Sequence, residues 1–310
     1  MPEIRSPKLV EIREMSALAN LTGVIPPTTT PFRADGSIAF GAMRKQIDWL
    51  LDAGASGIAV GGSTGEGHTL TKAEFDRIIS AASDALAGRA PLIAGIIVNS
   101  TREAIIRGES AATRGAAALQ VTPPHYLFRP DDSAMVEHFR AITEATEMPV
   151  IIYNVVPWTY LSPELLCRIF DEAPGVVGIK QSAGDLKLFA DLMEQAPADR
   201  MIFSAVDALM YPSYMLGAHG SIAAILTAAP HASVALWNAV QAGDHDGAKA
   251  LHGKLLALWN AMAHDNLPAC VKFAQRHQGI NAGQPRAPMP LPSGIQRRAI
   301  IAALEPLTSE

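Results

Sequence analysis

The stretch "VVGIKQSAG", Val176–Gly184, places an amine where a buried strand ends. Val176 to Ile179 form a short apolar run without polar alternation, the pattern of a strand covered on both faces. Lys180 closes that run, and the small residues Ser182, Ala183 and Gly184 follow. By itself the segment allows two readings. One is a strand-end lysine whose head reaches water; the other is a desolvated, nucleophilic lysine that forms a Schiff base. What the rest of the chain sets beside Lys180 decides between them.

Seven further runs of the same kind surround it: "GVIPPTTTPF" from Gly23, "GIAVGGSTGE" from Gly57, "PLIAGIIVNS" from Pro91, "AALQVTPPHY" from Ala117, "PVIIYNVVP" from Pro149, "MIFSAVDAL" from Met201 and "GSIAAILTAA" from Gly220. Helix signals fall between them. Met43, Ile47, Leu50 and Leu51 recur at helical spacing. Thr71–Glu74, "TKAE", reads as a capping box ahead of Phe75, Ile78, Ile79, Ala82 and Leu86. Ser162 before Pro163 is an N-cap with proline at the first helical position. Asp185 opens a helix containing Leu186, Phe189 and Met193. Eight strand–helix units predict an α/β chain folded as a (β/α)8 TIM barrel with a C-terminal helical appendage. A doubly wound sheet lacks support, because no G-x-G-x-x-G follows the first strand and no P-loop occurs.

Three divisions follow. Residues 1–20 mix charged and apolar residues without a signal peptide's apolar centre and read as an N-terminal arm. Residues 21–230 hold the barrel. Residues 231–310 exceed one closing helix and read as a helical extension packed on the barrel, with a proline-rich stretch, Pro285 to Pro292, before the last helix.

The 310 residues are 49% hydrophobic and 18% charged, an ordinary globular composition. A net charge of −5 argues against a nucleic-acid partner, and no run of about 20 apolar residues indicates a membrane span. The two cysteines, Cys167 and Cys270, lack metal-ligand spacing and read as buried small hydrophobes of a cytoplasmic protein.

In such barrels the active site lies at the C-terminal ends of the strands. A lysine (Lys180), a tyrosine (Tyr153) and a hydroxyl pair in a glycine-rich turn (Gly62, Ser63, Thr64) all fall there. An amine attacks a ketone only when unprotonated, which desolvation favours. Tyr153 could relay protons to and from the carbinolamine. Ser63 and Thr64, with the N–H groups of the glycine turn, could hold a carboxylate beside the imine carbon.

The order and wording of these motifs resemble the dihydrodipicolinate synthase / N-acetylneuraminate lyase family: "GGSTGE" after strand two, "VTPPHY" after strand four, "YNVVP" at strand five and "GIK" at strand six. The resemblance runs from about Thr22 to the C-terminal helices. It implies a class I, metal-independent aldolase or lyase acting on pyruvate or another 2-oxo acid, with no cofactor beyond the lysine imine. It makes Lys180 the Schiff-base lysine, Tyr153 the general acid/base, and Ser63 and Thr64 the carboxylate binders. It places Ile222 at the pocket near the lysine. It further implies a homotetramer built as a dimer of dimers, in which Tyr126, or His125 in a gapless comparison, reaches the neighbouring subunit's site.

Two places depart from the pattern. Synthases that condense pyruvate with aspartate semialdehyde carry an arginine shortly after the "YN" tyrosine, where this chain has Trp158. Tryptophan cannot make the bidentate carboxylate contact of arginine. The expectation is therefore a second substrate with an apolar or aromatic face, packed against Trp158 and Phe128, unless Trp158 packs in a subunit contact. Ala205 and Val206 also make the end of strand seven apolar, which argues against a polyhydroxylated sugar acid. His68, His125 and His219 are scattered singly, so a metal-dependent mechanism finds no ligand set. Two alternatives stay open: dehydration or deamination of a sugar acid or cyclic imino acid through the same imine, and a catalytically silent relative that binds a 2-oxo acid.

Overall fold

The computed structural model describes Leu18 and residues 21–308; the remainder of the arm expected over residues 1–20 lies outside the described residues. Eight parallel strands form one sheet: β1 (Gly23–Val24), β2 (Ile58–Val60), β3 (Leu92–Ile96), β4 (Ala118–Val121), β5 (Val150–Asn154), β6 (Val176–Gln181), β7 (Met201–Ser204) and β8 (Gly220–Ser221). Their order is β1-β8-β7-β6-β5-β4-β3-β2. A parallel bridge between Pro27 and Ala59 joins the first strand's extension to β2 and closes the ring. The result is the (β/α)8 barrel that the strand–helix count predicts.

Side chains alternate across the barrel wall, as the two-residue period requires. Ile25, Ala59, Ile93, Ala118, Ile151, Phe203 and Ile222 point inward and form one cluster, to which Leu18 and Leu21 add. The outward set, including Val60, Leu119, Ile152 and Ile179, packs against the surrounding helices.

Three of those helices begin as their local signals predict. Thr71 caps α2 (Lys72–Leu86) with both halves of the capping box present. Ser162 caps α5 (Pro163–Glu172), and Asp185 caps α6 (Leu186–Gln195) through the N–H groups of Lys187 and Leu188. The helix of Met43, Ile47 and Leu50 is α1 (Phe40–Asp52), with those three side chains buried.

Two apolar runs prove shorter as strands than they read. In "GVIPPTTTPF" only Gly23 and Val24 are strand, because Pro26 and Pro27 have no N–H to continue a ladder. In "GSIAAILTAA" the strand stops at Ser221, and Ala224–Ala228 form a short helix. Its Ile225 N–H donates to Asp207 Oδ1 at 2.6 Å, so a side chain from the β7 turn satisfies one of the first-turn donors.

The C-terminal segment forms α9 (Pro230–Gln241), α10 (His245–Met262), α11 (Leu267–His277) and α12 (Gly294–Thr308). Leu255, Leu258, Met262, Cys270, Val271, Ile300 and Leu304 belong to the same outer cluster as the barrel residues. The extension therefore shares the barrel's core. Cys270 is buried, but Cys167 is only half-buried, contrary to the expectation for both. No helix among the described residues is long and apolar enough to cross a membrane.

Candidate active site

The pairing of β5 with β6 sets Tyr153 opposite Lys180, so both side chains enter the barrel at the same level of the ladder. Lys180 is 3% exposed and its Nζ lies 3.7 Å from the centre of the Tyr153 ring. Burial pushes the amine down to about 7, against the opposing pull of the Asp207 carboxylate. Tyr153 donates from its hydroxyl to Ser63 Oγ at 3.3 Å, which ties strand five to the turn after β2. Burial also raises this phenol, to about 12, so it stays protonated and able to donate near neutral pH.

The turn itself is built from close backbone approaches. A side chain at Gly67 would meet Gly61 O at 1.8 Å, and one at Gly95 on β3 would meet Gly62 N at 2.6 Å. Only glycine fits at either place, and the turn therefore rests directly on the β3 backbone. Gly62 lies beneath, its carbonyl accepting the N–H groups of Gly65 and Gly67 at 3.0 Å each. Ser63 and Thr64 are left on the rim.

These groups open onto a cavity of about 290 Å³. Its lining includes Ser63, Thr64, Tyr153, Lys180, Asp207 and Ile222. Ser182 and the apolar Val155 and Val206 also line it, with Trp259, Leu267 and Pro268 from the C-terminal helices. Among the described residues, Lys180 and Asp207 are the only charged side chains of the lining.

Five of the eight residues singled out in the sequence thus meet here: Lys180, Tyr153, Ser63, Thr64 and Ile222. The structure does not bring the other three to the cavity wall. Gly62 is buried under the turn. Tyr126 and Trp158 are 64% and 65% exposed and lie outside the lining. Trp158 Nε1 donates to the carbonyls of His125 and Tyr126, at 3.1 and 3.3 Å, pinning the loop after β5 to the loop after β4. Leu127 and Phe128 beside them are exposed as well. Within one chain, Trp158 and Phe128 do not face the cavity where a second substrate was expected to meet them.

Conversely, Asp207, Trp259, Leu267 and Pro268 carried no assignment from the sequence. Asp207 stands at an expected strand end, but nothing local tells that its carboxylate turns inward. Its burial, 7% exposed, raises it from the usual carboxylate range, while N–H donation from Ile225 opposes that. Among the described residues, no three His, Cys, Asp or Glu side chains gather as a metal site.

The chain and its fold have clear relatives. The model of the dihydrodipicolinate synthetase family matches residues 20–305. The chain belongs to that family. Dihydrodipicolinate synthetase relatives include the 4-hydroxy-tetrahydrodipicolinate synthase of Leptothrix cholodnii, 37% identical over 87% of this chain and 92% of the relative. The enzyme of the same name from Methanopyrus kandleri is 36% identical over 87% and 90%. Among solved structures, dihydrodipicolinate synthase from Aquifex aeolicus superposes with a TM-score of 0.87 at 28% identity, covering 92% of this chain and 97% of that one. A prophage protein of the dihydrodipicolinic acid synthase family from E. coli K12, in complex with pyruvate, gives 0.88 at 25% identity over 93% and 98%.

Proposed function

We propose that the protein is a class I, metal-independent lyase of this family, using Lys180 to form an imine with pyruvate or a closely related 2-oxo acid. The observation that carries the reading is the buried Lys180 amine stacked over Tyr153, whose hydroxyl is bonded in turn to Ser63. An amine lowered to about 7 is substantially neutral at physiological pH and can attack the C2 carbonyl. Tyr153 hands a proton to the carbinolamine hydroxyl, which leaves as water and yields the protonated imine. The Tyr153 phenolate left by that step takes a C3 proton to give the enamine, and returns it to the aldehyde oxygen as the new carbon–carbon bond forms; the reverse sequence cleaves that bond. Ser63 and Thr64 donate to the 2-oxo acid carboxylate throughout.

For the second substrate, the apolar part of the cavity lining supports an aldehyde without a carboxylate. The arginine position of the aspartate-semialdehyde condensing synthases is Trp158, outside the lining, and the lining's one cation is the reacting lysine. With Lys180 engaged, the remaining charged side chain of the lining is Asp207, which repels an anionic chain. On this reading the chain differs in its aldehyde from relatives named 4-hydroxy-tetrahydrodipicolinate synthase. We place it in the cytoplasm as a homotetramer, with the exposed Tyr126, Leu127, Phe128 and Trp158 as an apolar face suited to a second copy.

The test is borohydride reduction in the presence of pyruvate, read by peptide mass spectrometry on wild type and Lys180→Ala. A three-carbon adduct on the Lys180 peptide, absent from the variant, is expected. No adduct in folded protein, or an adduct elsewhere, would overturn the assignment. Product analysis then separates cleavage, which releases pyruvate and an aldehyde, from dehydration, which retains the carbon skeleton.

A further inference from the structure

The turn that carries Ser63 and Thr64 ends in a residue that the chemistry above leaves unused. Glu66 is fully buried, and its φ of 55° lies in the left-handed region, where a residue bearing a side chain is strained. Something must hold it there. Its carboxylate is taken on both oxygens: Oε1 accepts from Lys272 Nζ at 2.5 Å, and Oε2 accepts from the Arg286 backbone N–H at 2.8 Å.

Lys272 is fully buried as well. It also donates to Gln284 O at 2.8 Å, and its Nζ lies 4.6 Å from the centre of the Phe32 ring. The pair spans 206 residues and links the turn after β2 to α11. That helix also supplies Leu267 and Pro268 to the cavity wall. Within the turn, Glu66 N–H donates to Ser63 O and Gly65 N–H to Gly62 O, at 3.0 Å each. A displacement of Glu66 therefore reaches Ser63 through a single hydrogen bond.

Burying two charges is expensive in desolvation, and an apolar pair of similar volume often serves stability as well or better. The pair's place, at the strained end of this one turn, gives it a use that an apolar pair lacks: it sets the turn's height above the barrel.

We propose that Glu66 and Lys272 are positioning residues for the 2-oxo acid, their buried pair fixing the Ser63–Thr64 turn so that its hydroxyls meet the substrate carboxylate. This rests on the reading that Ser63 and Thr64 bind that carboxylate. It also makes α11 a working part of the site, holding the carboxylate clamp with Lys272 while walling the cavity with Leu267 and Pro268.

The experiment compares Glu66→Gln, Lys272→Met, the double variant Glu66→Gln/Lys272→Met, and Ser63→Ala/Thr64→Val as the control. Each is followed by thermal unfolding and by the pyruvate dependence of borohydride trapping at Lys180. The two single variants each leave one buried charge alone and should melt lower. The double variant removes both charges and should regain much of that loss, so it keeps the test available if a single variant fails to fold. For the positioning role, half-saturating pyruvate in the double variant rises on the order of tenfold. Its trapping rate at saturating pyruvate stays within about twofold, since Lys180 and Tyr153 are untouched.

A double variant whose pyruvate requirement returns to the wild-type value along with its melting temperature would show the pair to be structural only and overturn the proposal. So would a loss confined to the maximal rate. If Ser63→Ala/Thr64→Val leaves half-saturating pyruvate unchanged, the carboxylate reading itself falls, and the positioning role with it. If that control raises it and the Glu66 and Lys272 variants do not, the positioning role alone falls.

Discussion

Lys180 Nζ stands 3.7 Å from the centre of the Tyr153 ring, on the neighbouring strand and in register with it. Two opposing influences act on the amine at this distance. The aromatic face favours the ammonium form, by about 2 kcal/mol at a desolvated site. Burial favours the neutral amine, and the fall from 10.5 to about 7 corresponds to roughly 5 kcal/mol. Burial outweighs the ring, which leaves the amine substantially neutral near pH 7, as the proposed nucleophilic role requires.

The pH dependence of imine formation follows from this balance. Only the neutral amine attacks, so the trapping rate with pyruvate should fall about tenfold per pH unit below 7 and level off above it. Asp207 raises the Lys180 value, so Asp207→Asn should move the midpoint to lower pH. Rates of cyanoborohydride trapping between pH 5 and 9, as an approximate working range, would show both effects. A midpoint near the ordinary lysine value would contradict the desolvation argument.

Tyr153→Phe removes the hydroxyl bonded to Ser63 and keeps the ring beneath Lys180. Turnover should drop by a factor on the order of 10² to 10⁴, the usual worth of a positioned acid/base. Half-saturating pyruvate should change far less. Steady-state kinetics on the purified variant decide it, and equal changes in both parameters would assign Tyr153 to binding.

Trp158→Arg tests where the second substrate sits. The indole is exposed outside the cavity lining, so pyruvate trapping should stay at the wild-type rate. A lost adduct would mean that the loop after β5 reaches the site in a way the single chain does not present. Leu267→Arg is the complementary change, because it sets a guanidinium in the apolar wall. It should raise kcat/KM for an aldehyde bearing a carboxylate relative to an uncharged aldehyde of similar size, by about tenfold or more. No change in that ratio would remove the wall from any part in aldehyde choice.

A stability prediction concerns Glu74, whose carboxylate makes a bidentate pair with Arg286 at 2.6 and 3.1 Å. The Arg286 hydrogen bonds bring Glu74 from 4.5 down to about 2. A depressed carboxylate contributes stability that is complete above pH 4.5 and is lost as the pH falls toward 2. Glu74→Gln should therefore cost up to about 3 kcal/mol at neutral pH and flatten the acid limb of the unfolding curve in that window. Urea melts of both proteins across pH 2 to 7, an approximate span, provide the check.

Several features were legible in the sequence because their causes are local. Thr71, Ser162 and Asp185 announce helices through bonds made within three residues. Lys180, Tyr153, Ser63 and Thr64 converge because a parallel barrel gathers the C-terminal ends of its strands at one mouth. What escaped depends on distant partners. Asp207 turns inward to meet the N–H of Ile225, and Glu66 finds Lys272 across 206 residues. Strand ends misled where the deciding factor was a missing donor, at Pro26 and Pro27. Alanine and leucine after Ser221 suit a helix, and the apolar run concealed the change. Trp158 sits on a loop after a strand, where adjacency in sequence to a site says little about the direction a ring takes.

The cavity wall drawn from α10 and α11 bears on how such a chain can diversify. Lys180 and Tyr153 are encoded in the middle third, while Trp259, Leu267 and Pro268 lie within ten positions of one another near the end. On the proposed reading, the imine-forming pair and this part of the cavity wall are thus inherited on separate stretches of gene. Exchanging the tail between relatives could change the partner and leave the imine intact, provided that the incoming segment brings its own cation for Glu66.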